Sequence, residues 1–124
     1  MKVLLSVKPE HAERIFNGSK KFEFRKAIFK QAPVTTVVVY ATLPVGKVIG
    51  EFTIAGIIAN RPSAVWEQTK KHSGISREFF DKYFMGRHRA FAIQVQNPKR
   101  YRNSLDLIDV HPRGIAPQSF CYIS

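Results

Sequence analysis

The sequence predicts an α+β fold: a small, closed or nearly closed β-barrel of about six strands, with two or three short helices flanking it. Three observations carry this expectation. Helical periodicity is confined to two short regions, period-two and β-branched runs recur through the rest, and 124 residues leave room for one domain, residues 1–124, rather than two. A content of 44% hydrophobic and 12% aromatic residues supplies a core and excludes a disordered basic tail.

The elements follow in chain order. Val3 to Val7 is a short apolar run that ends at Lys8-Pro9, and Pro suits the first turn of a helix. Ala12, Ile15 and Phe16 share one helical face, and Asn17-Gly18 stops the helix, so it spans about Pro9 to Asn17. The period then switches to two: Lys21-Phe22-Glu23-Phe24-Arg25 reads as a half-buried strand, Phe22 and Phe24 inward, with Lys21, Glu23 and Arg25 on the opposite face and Lys20 at its entry. Thr35 to Ala41 and Lys47 to Ile58 are β-branched runs, the second broken at Gly50 and Gly56 where a bulge or barrel bend fits. Pro62 opens a helix through Val65, Trp66 and Thr69 that stops near Ser73-Gly74. Ser76 caps another that ends at Gly86, with Ile75 and Phe80 placed as a hydrophobic staple. Arg89 to Val95 alternates, and the larger set Phe91, Ile93 and Val95 is expected to be buried in preference to Ala90 and Ala92. Leu105, Leu107 and Val110 are expected to form a further strand, and Ser119 to Ile123 the last.

Twenty Lys and Arg against nine Asp and Glu give a net charge of +11. Such an excess raises the expectation of a polyanionic partner, since it concentrates phosphate-bearing ligands. Cys121 is the one cysteine, which leaves no internal disulfide or zinc-type spacing, and no apolar run reaches the ~20 residues of a bilayer span. A reducing, cytoplasmic setting without membrane association is therefore expected.

The most informative stretch is Gly18-Ser19-Lys20-Lys21-Phe22-Glu23-Phe24-Arg25. Arg25 can fork onto a phosphate or carboxylate, Lys20 or Lys21 adds a compact charge, and Glu23 can accept hydrogen bonds from a base edge or act as a general base. The same pattern also describes a surface strand whose Glu23 and Arg25 neutralise one another.

The spacing Pro9-x-x-Ala12-x-x-Ile15-x-x-Gly18-x-Lys20-x-x-Glu23-x-Arg25 resembles the signature of the ASCH domain (activating signal cointegrator homology), a family of the PUA-like superfold. The likeness extends through Val37 to Thr42, Gly50-Glu51-Phe52, Trp66, Ile75-Ser76 with Phe79 and Tyr83, and Ala116 to Phe120. It implies a β-barrel with a cleft for RNA or a nucleotide beside the Gly-x-Lys-x-x-Glu-x-Arg strand, with Lys20, Glu23 and Arg25 as cleft residues. Some members resemble amidohydrolases of an acetylated cytidine, using the motif lysine with a threonine and a distant glutamate. Here Glu23 stands at the threonine position and no acid lies at the matching place near Ser73, Glu67 and Glu78 being only near in sequence. Other members resemble ribonucleases, for which Glu23 could serve as base and the cations could stabilise the phosphorane.

Secondary sites are weaker. Lys70-Lys71, Arg87-His88-Arg89 and Lys99-Arg100-x-Arg102 are basic clusters that would extend a groove or remain solvated surface. Among the aromatics Tyr40, Trp66, Tyr83 and Tyr101, Tyr40 and Trp66 are taken as base-stacking candidates. His11, His72, His88 and His111 lack metal spacing, Pro44-Val45-Gly46-Lys47 lacks the phosphate-loop spacing, and Cys121 between Phe120 and Tyr122 reads as packing, so no metal or cofactor is expected. The leading expectation is a nucleic-acid-binding module for RNA or a modified nucleotide, using Lys20, Lys21, Glu23, Arg25, Tyr40 and Trp66, in which Arg25→Ala weakens binding and leaves the fold intact. The alternatives are a hydrolase in the same cleft with Lys20 and Glu23 as catalytic residues, and a protein-interaction domain in transcriptional regulation.

Overall fold

The computed structural model describes residues 1–30 and 33–123. Six strands, β1 (Lys2–Val7), β2 (Phe22–Arg25), β3 (Thr36–Ala41), β4 (Lys47–Asn60), β5 (Ala90–Leu105) and β6 (Phe120–Ile123), form one sheet in the order β2-β5-β4-β3-β1-β6. Four helices accompany it among the described residues: α1 (Pro9–Phe16), α2 (Pro62–Thr69), α3 (Arg77–Tyr83) and α4 (Leu107–Val110), with a 3-10 turn at Lys70–His72. Among the described residues only β1 and β3 pair in parallel. A parallel pair needs a crossover, and the segment carrying α1 and β2 is that crossover, which is how the motif strand comes to lie away from β1 at the far end of the sheet order.

The long strands β4 and β5 curl the sheet into a half-barrel, with register shifts between Val48 and Gly50 and between Ile54 and Gly56, at the glycines where bends were expected. Gly50 has a second reason to be glycine: a Cβ there would stand 2.6 Å from the Lys99 carbonyl oxygen and from the Phe16 ring. The curl brings β2 back toward β1, and the Arg25 side chain spans the seam to the Ser6 carbonyl oxygen at 2.6 Å.

Three apolar clusters hold this arrangement. Val3, Leu5 and Val7 pack with Ala12, Ile15, Val37, Val39, Phe52 and Ile93 inside the curl. Leu4 points the other way, into a cluster with Val38, Tyr40 and Val48. β1 is thus covered on both faces, which is why it reads as an unbroken apolar run. The third cluster docks α2 and α3 on the outer part of the sheet: Phe22, Phe24, Ala90 and Ala92 against Val65, Trp66, Phe80 and Phe84. Ser76 caps α3 by accepting the Phe79 N–H at 3.0 Å, with Ile75 and Phe80 in one cluster as the staple requires.

Two expectations are corrected here. On β5 it is Ala90 and Ala92, together with Ile93, that are buried, while Phe91 and Val95 are only half-buried. The strand lies between β2 and β4, and the small side chains let Phe80 and Trp66 come close from the helical layer. The region after Leu105 is not a strand: Leu105 ends β5, and Leu107–Val110 is one helical turn held by a capping box in which Asp106 N–H donates to Asp109 Oδ2 at 2.9 Å. No helix among the described residues is long and apolar enough to cross a membrane.

Candidate functional site

A cleft of about 370 Å³ occupies the seam of the half-barrel. Each part of the chain that meets there does so for a local reason. β1 ends at Ser6-Val7 because Pro9 starts α1, which places His11 on the helix face beside the motif. α1 ends at Asn17 and Gly18, and the chain turns back as the Lys20 N–H donates to the Arg14 carbonyl oxygen at 3.0 Å. β2 then lays Glu23, Phe24 and Arg25 along one wall. Thr42 at the end of β3, Gln118 before β6, and Ile75, Phe79 and Tyr83 of the α3 region complete the lining.

The ionic groups at its base are nearly dry. Lys20, Glu23 and Arg25 are 1%, 6% and 8% exposed. Charges this deep are costly unless partnered, and the partners are specific. Lys20 Nζ donates to the Ser73 carbonyl oxygen at 2.8 Å and lies 4.6 Å from the centre of the Phe24 ring. Arg25 Nη2 donates to the Ser6 carbonyl oxygen, and its Nε stands 3.4 Å from Glu23 Oε2 as an ion pair rather than a hydrogen bond. Among the described residues Glu23 accepts no hydrogen bond, and Arg25 Nε and His11 Nδ1 are buried without one. The cleft floor therefore presents an ion pair, Glu23 with Arg25, whose facing atoms are not joined by a hydrogen bond, and a buried His11 nitrogen without one.

Burial pushes the Lys20 ammonium down from 10.5 to about 8, against the opposing pull of Glu23. The His11 imidazole is lowered by burial first and by Lys20 second. Burial raises the Tyr83 phenol, despite the pull of Arg25. The site thus holds a lysine and a histidine whose charged forms are both disfavoured by burial.

Lys20, Glu23 and Arg25 are brought together as the motif suggested. The other three expected residues are elsewhere. Lys21 is exposed, its backbone tied to His72 and Val95. Tyr40 faces the cluster of Leu4, Val38 and Val48 on the outer side of the sheet, because an even position on β3 points away from the curl. Trp66 packs against Phe80 at 5.0 Å in the helical layer, with Arg77 over its ring. The half-buried strand expected for β2 is covered on both faces, α3 on one and the cleft walls on the other, so Glu23 and Arg25 are not a solvated pair. Arg25 also latches β2 to β1 through the Ser6 carbonyl oxygen, so the expectation that Arg25→Ala leaves the fold intact does not suit its place in the seam. His11, Phe79 and Tyr83 were not selected from sequence. The available signal was the i, i+4 aromatic pair on α3, one residue off the Phe80 core face.

Fold and site together define a class: small α+β half-barrels with a charged cleft at the seam. The chain belongs to the ASCH domain family, whose family model matches residues 5–116. It is similar over 99% of its length to the crystal structure of ASCH from Zymomonas mobilis, with a TM-score of 0.90 and 26% identity over 87% of that chain. It is 29% identical over 97% of its length to a Zymomonas mobilis protein named ASCH domain-containing ribonuclease, covering 82% of it. It is also 29% identical over 98% of its length to a Ureaplasma parvum protein named large ribosomal subunit protein uL22, and there it spans only 39% of the relative.

Proposed function

We propose that the cleft binds RNA or a modified nucleotide by one base or nucleoside, held by Lys20, Glu23 and Arg25. The observation that carries this reading is the buried Lys20-Glu23-Arg25 cluster at the floor of a cleft of about 370 Å³, a volume within the range of small-ligand pockets. The Glu23 carboxylate, ion-paired with Arg25 but accepting no hydrogen bond among the described residues, suits the amino or imino edge of a base, as acidic side chains do with cytosine N4. The Arg25 Nε and the Lys20 ammonium suit carbonyl and phosphate oxygens. The +11 net charge favours a polyanion reaching the cleft, and the relative named a ribonuclease points the same way.

Calorimetric titration with ribonucleoside monophosphates and with short single-stranded RNA tests the reading. Binding that weakens linearly with log salt for the RNA, and that falls at least tenfold in Glu23→Gln, is expected. Absence of binding by every nucleotide and RNA tried overturns it.

A second reading, hydrolysis of RNA or a modified nucleoside in the same cleft, is favoured by the Lys20 proton held near pH 8 beside Glu23, the poise a general acid or base needs. Incubation with N4-acetylcytidine, and with labelled RNA with and without divalent metal, would then give product that disappears in Lys20→Ala and Glu23→Gln.

A further inference from the structure

The mouth of the cleft carries features that a single bound base does not use. Phe79 and Tyr83 stand at i, i+4 on α3, their rings within 10° of parallel and 6.3 Å between centres. Phe79 is 38% exposed, unusual for a phenylalanine beside a core. Three lysines surround the pair: Lys8 lies 5.9 Å from the Phe79 ring centre, Lys26 4.7 Å from that of Tyr83, and Lys82 lines a shallow hollow with Lys8, Phe79 and Tyr83, the last three of which also line the cleft. Among the described residues none of these lysines is in an ion pair, whereas Asp81 on the same helix is engaged by Arg77 at 3.4 Å.

We infer that Phe79 and Tyr83, with Lys8, Lys26 and Lys82, form a second nucleotide subsite outside the cleft, so that the ligand is a single-stranded RNA of at least two nucleotides rather than a free nucleoside or mononucleotide. The inference rests on the reading that the cleft takes a base. A strand whose one base is seated at Glu23 must leave through the mouth, and its next base meets an apolar shelf while its phosphates meet unpaired ammonium groups. This combination of an aromatic platform with a cationic track is what single-strand binding needs, and it tolerates any base because every base has a π face. His11 packs edge-on against Phe79 at 5.2 Å and fixes the ring from the cleft side.

Calorimetry with the four ribonucleoside 5′-monophosphates and the matching ribotetranucleotides separates the two levels. The tetranucleotide should bind at least tenfold tighter than the best mononucleotide, and Phe79→Leu should reduce that ratio about 5- to 100-fold, as the loss of one base stack does. Lys82→Ala should lower the salt slope of tetranucleotide binding by about 1. Equal affinities for the two ligands in the parent protein, or a Phe79→Leu ratio unchanged in a variant that melts like the parent, overturn the outer subsite while leaving the cleft reading intact. Binding by neither ligand overturns both.

Discussion

Replacing Lys20 with methionine removes a buried charge while keeping the bulk of its stem, and its effect on stability depends on pH in a calculable way. The folded-state pKa is about 8 against 10.5 for a free lysine. Below pH 8 the folded and unfolded chains both carry the proton, and the folded state bears the full cost of burying it. As pH rises from 8 toward 10.5 the folded state loses the proton first, so wild-type stability increases across that window. At about 1.4 kcal/mol per pH unit the wild-type protein gains about 3 kcal/mol relative to Lys20→Met over the whole window, and about 2.5 kcal/mol by pH 10. The lost hydrogen bond to the Ser73 carbonyl oxygen at 2.8 Å offsets the variant's advantage at low pH, yet the pH-dependent part is separate from that offset. Groups that do not feel Lys20 titrate alike in both proteins and cancel in the difference, and His11, whose pKa Lys20 helps to lower from 6.5, titrates below this window. Urea unfolding of both proteins at pH 7 and pH 10 measures it. A stability difference that stays within about 0.5 kcal/mol between the two pH values would refute the claim that Lys20 is charged and desolvated in the cleft floor.

Other outcomes follow from the same geometry. Gly74→Ala must place a side chain at φ +70°, with its Cβ 2.5 Å from Lys20 Cβ and 3.0 Å from Lys20 Cα; the left-handed conformation and the overlap together should cost about 2–4 kcal/mol, read as a lower urea midpoint. Arg25→Ala leaves Glu23 buried without its cation and frees the seam, for about 3 kcal/mol by thermal or urea unfolding, and adding Glu23→Ala should recover part of that loss. Ser76→Ala removes the α3 cap and should cost about 1 kcal/mol, with no change in nucleotide affinity beyond that of a loosened Phe79.

Local pattern made most of the elements readable. The Pro9 start, the period-two run at Lys21 to Arg25 and the Ser76 cap each rest on a few adjacent residues, and each appears within a residue or two of where it was expected. What was not readable depends on closure of the sheet. Alternation at β2 says that Glu23 and Arg25 share a face, but whether water or the end of β1 covers that face is decided by a contact between Arg25 and Ser6, nineteen positions away. Tyr40 failed as a cleft residue for a similar reason: which side of β3 looks into the curl is set by how β1 and β4 pair with it. Ala90 and Ala92 were passed over because size alone ranks Phe91 higher, whereas the approach of α2 and α3 demands small residues at that contact. The Asp106 and Asp109 capping box was a local signal available in the chain and simply outweighed by the apolar pattern around it.

The two cations of the cleft are anchored to main-chain oxygens, those of Ser73 and Ser6. Every residue carries such an oxygen, so the serine hydroxyls are not what holds the cations; they instead tie the surrounding backbone, Ser6 donating to the Pro117 carbonyl oxygen at 2.7 Å and Ser73 to that of Ile75 at 2.9 Å. A one-residue insertion or deletion in the 73–75 loop or at the end of β1 would carry the acceptor out of reach at once. The site's tolerance to inherited change is thus governed by the length of the chain around it as well as by its spelling.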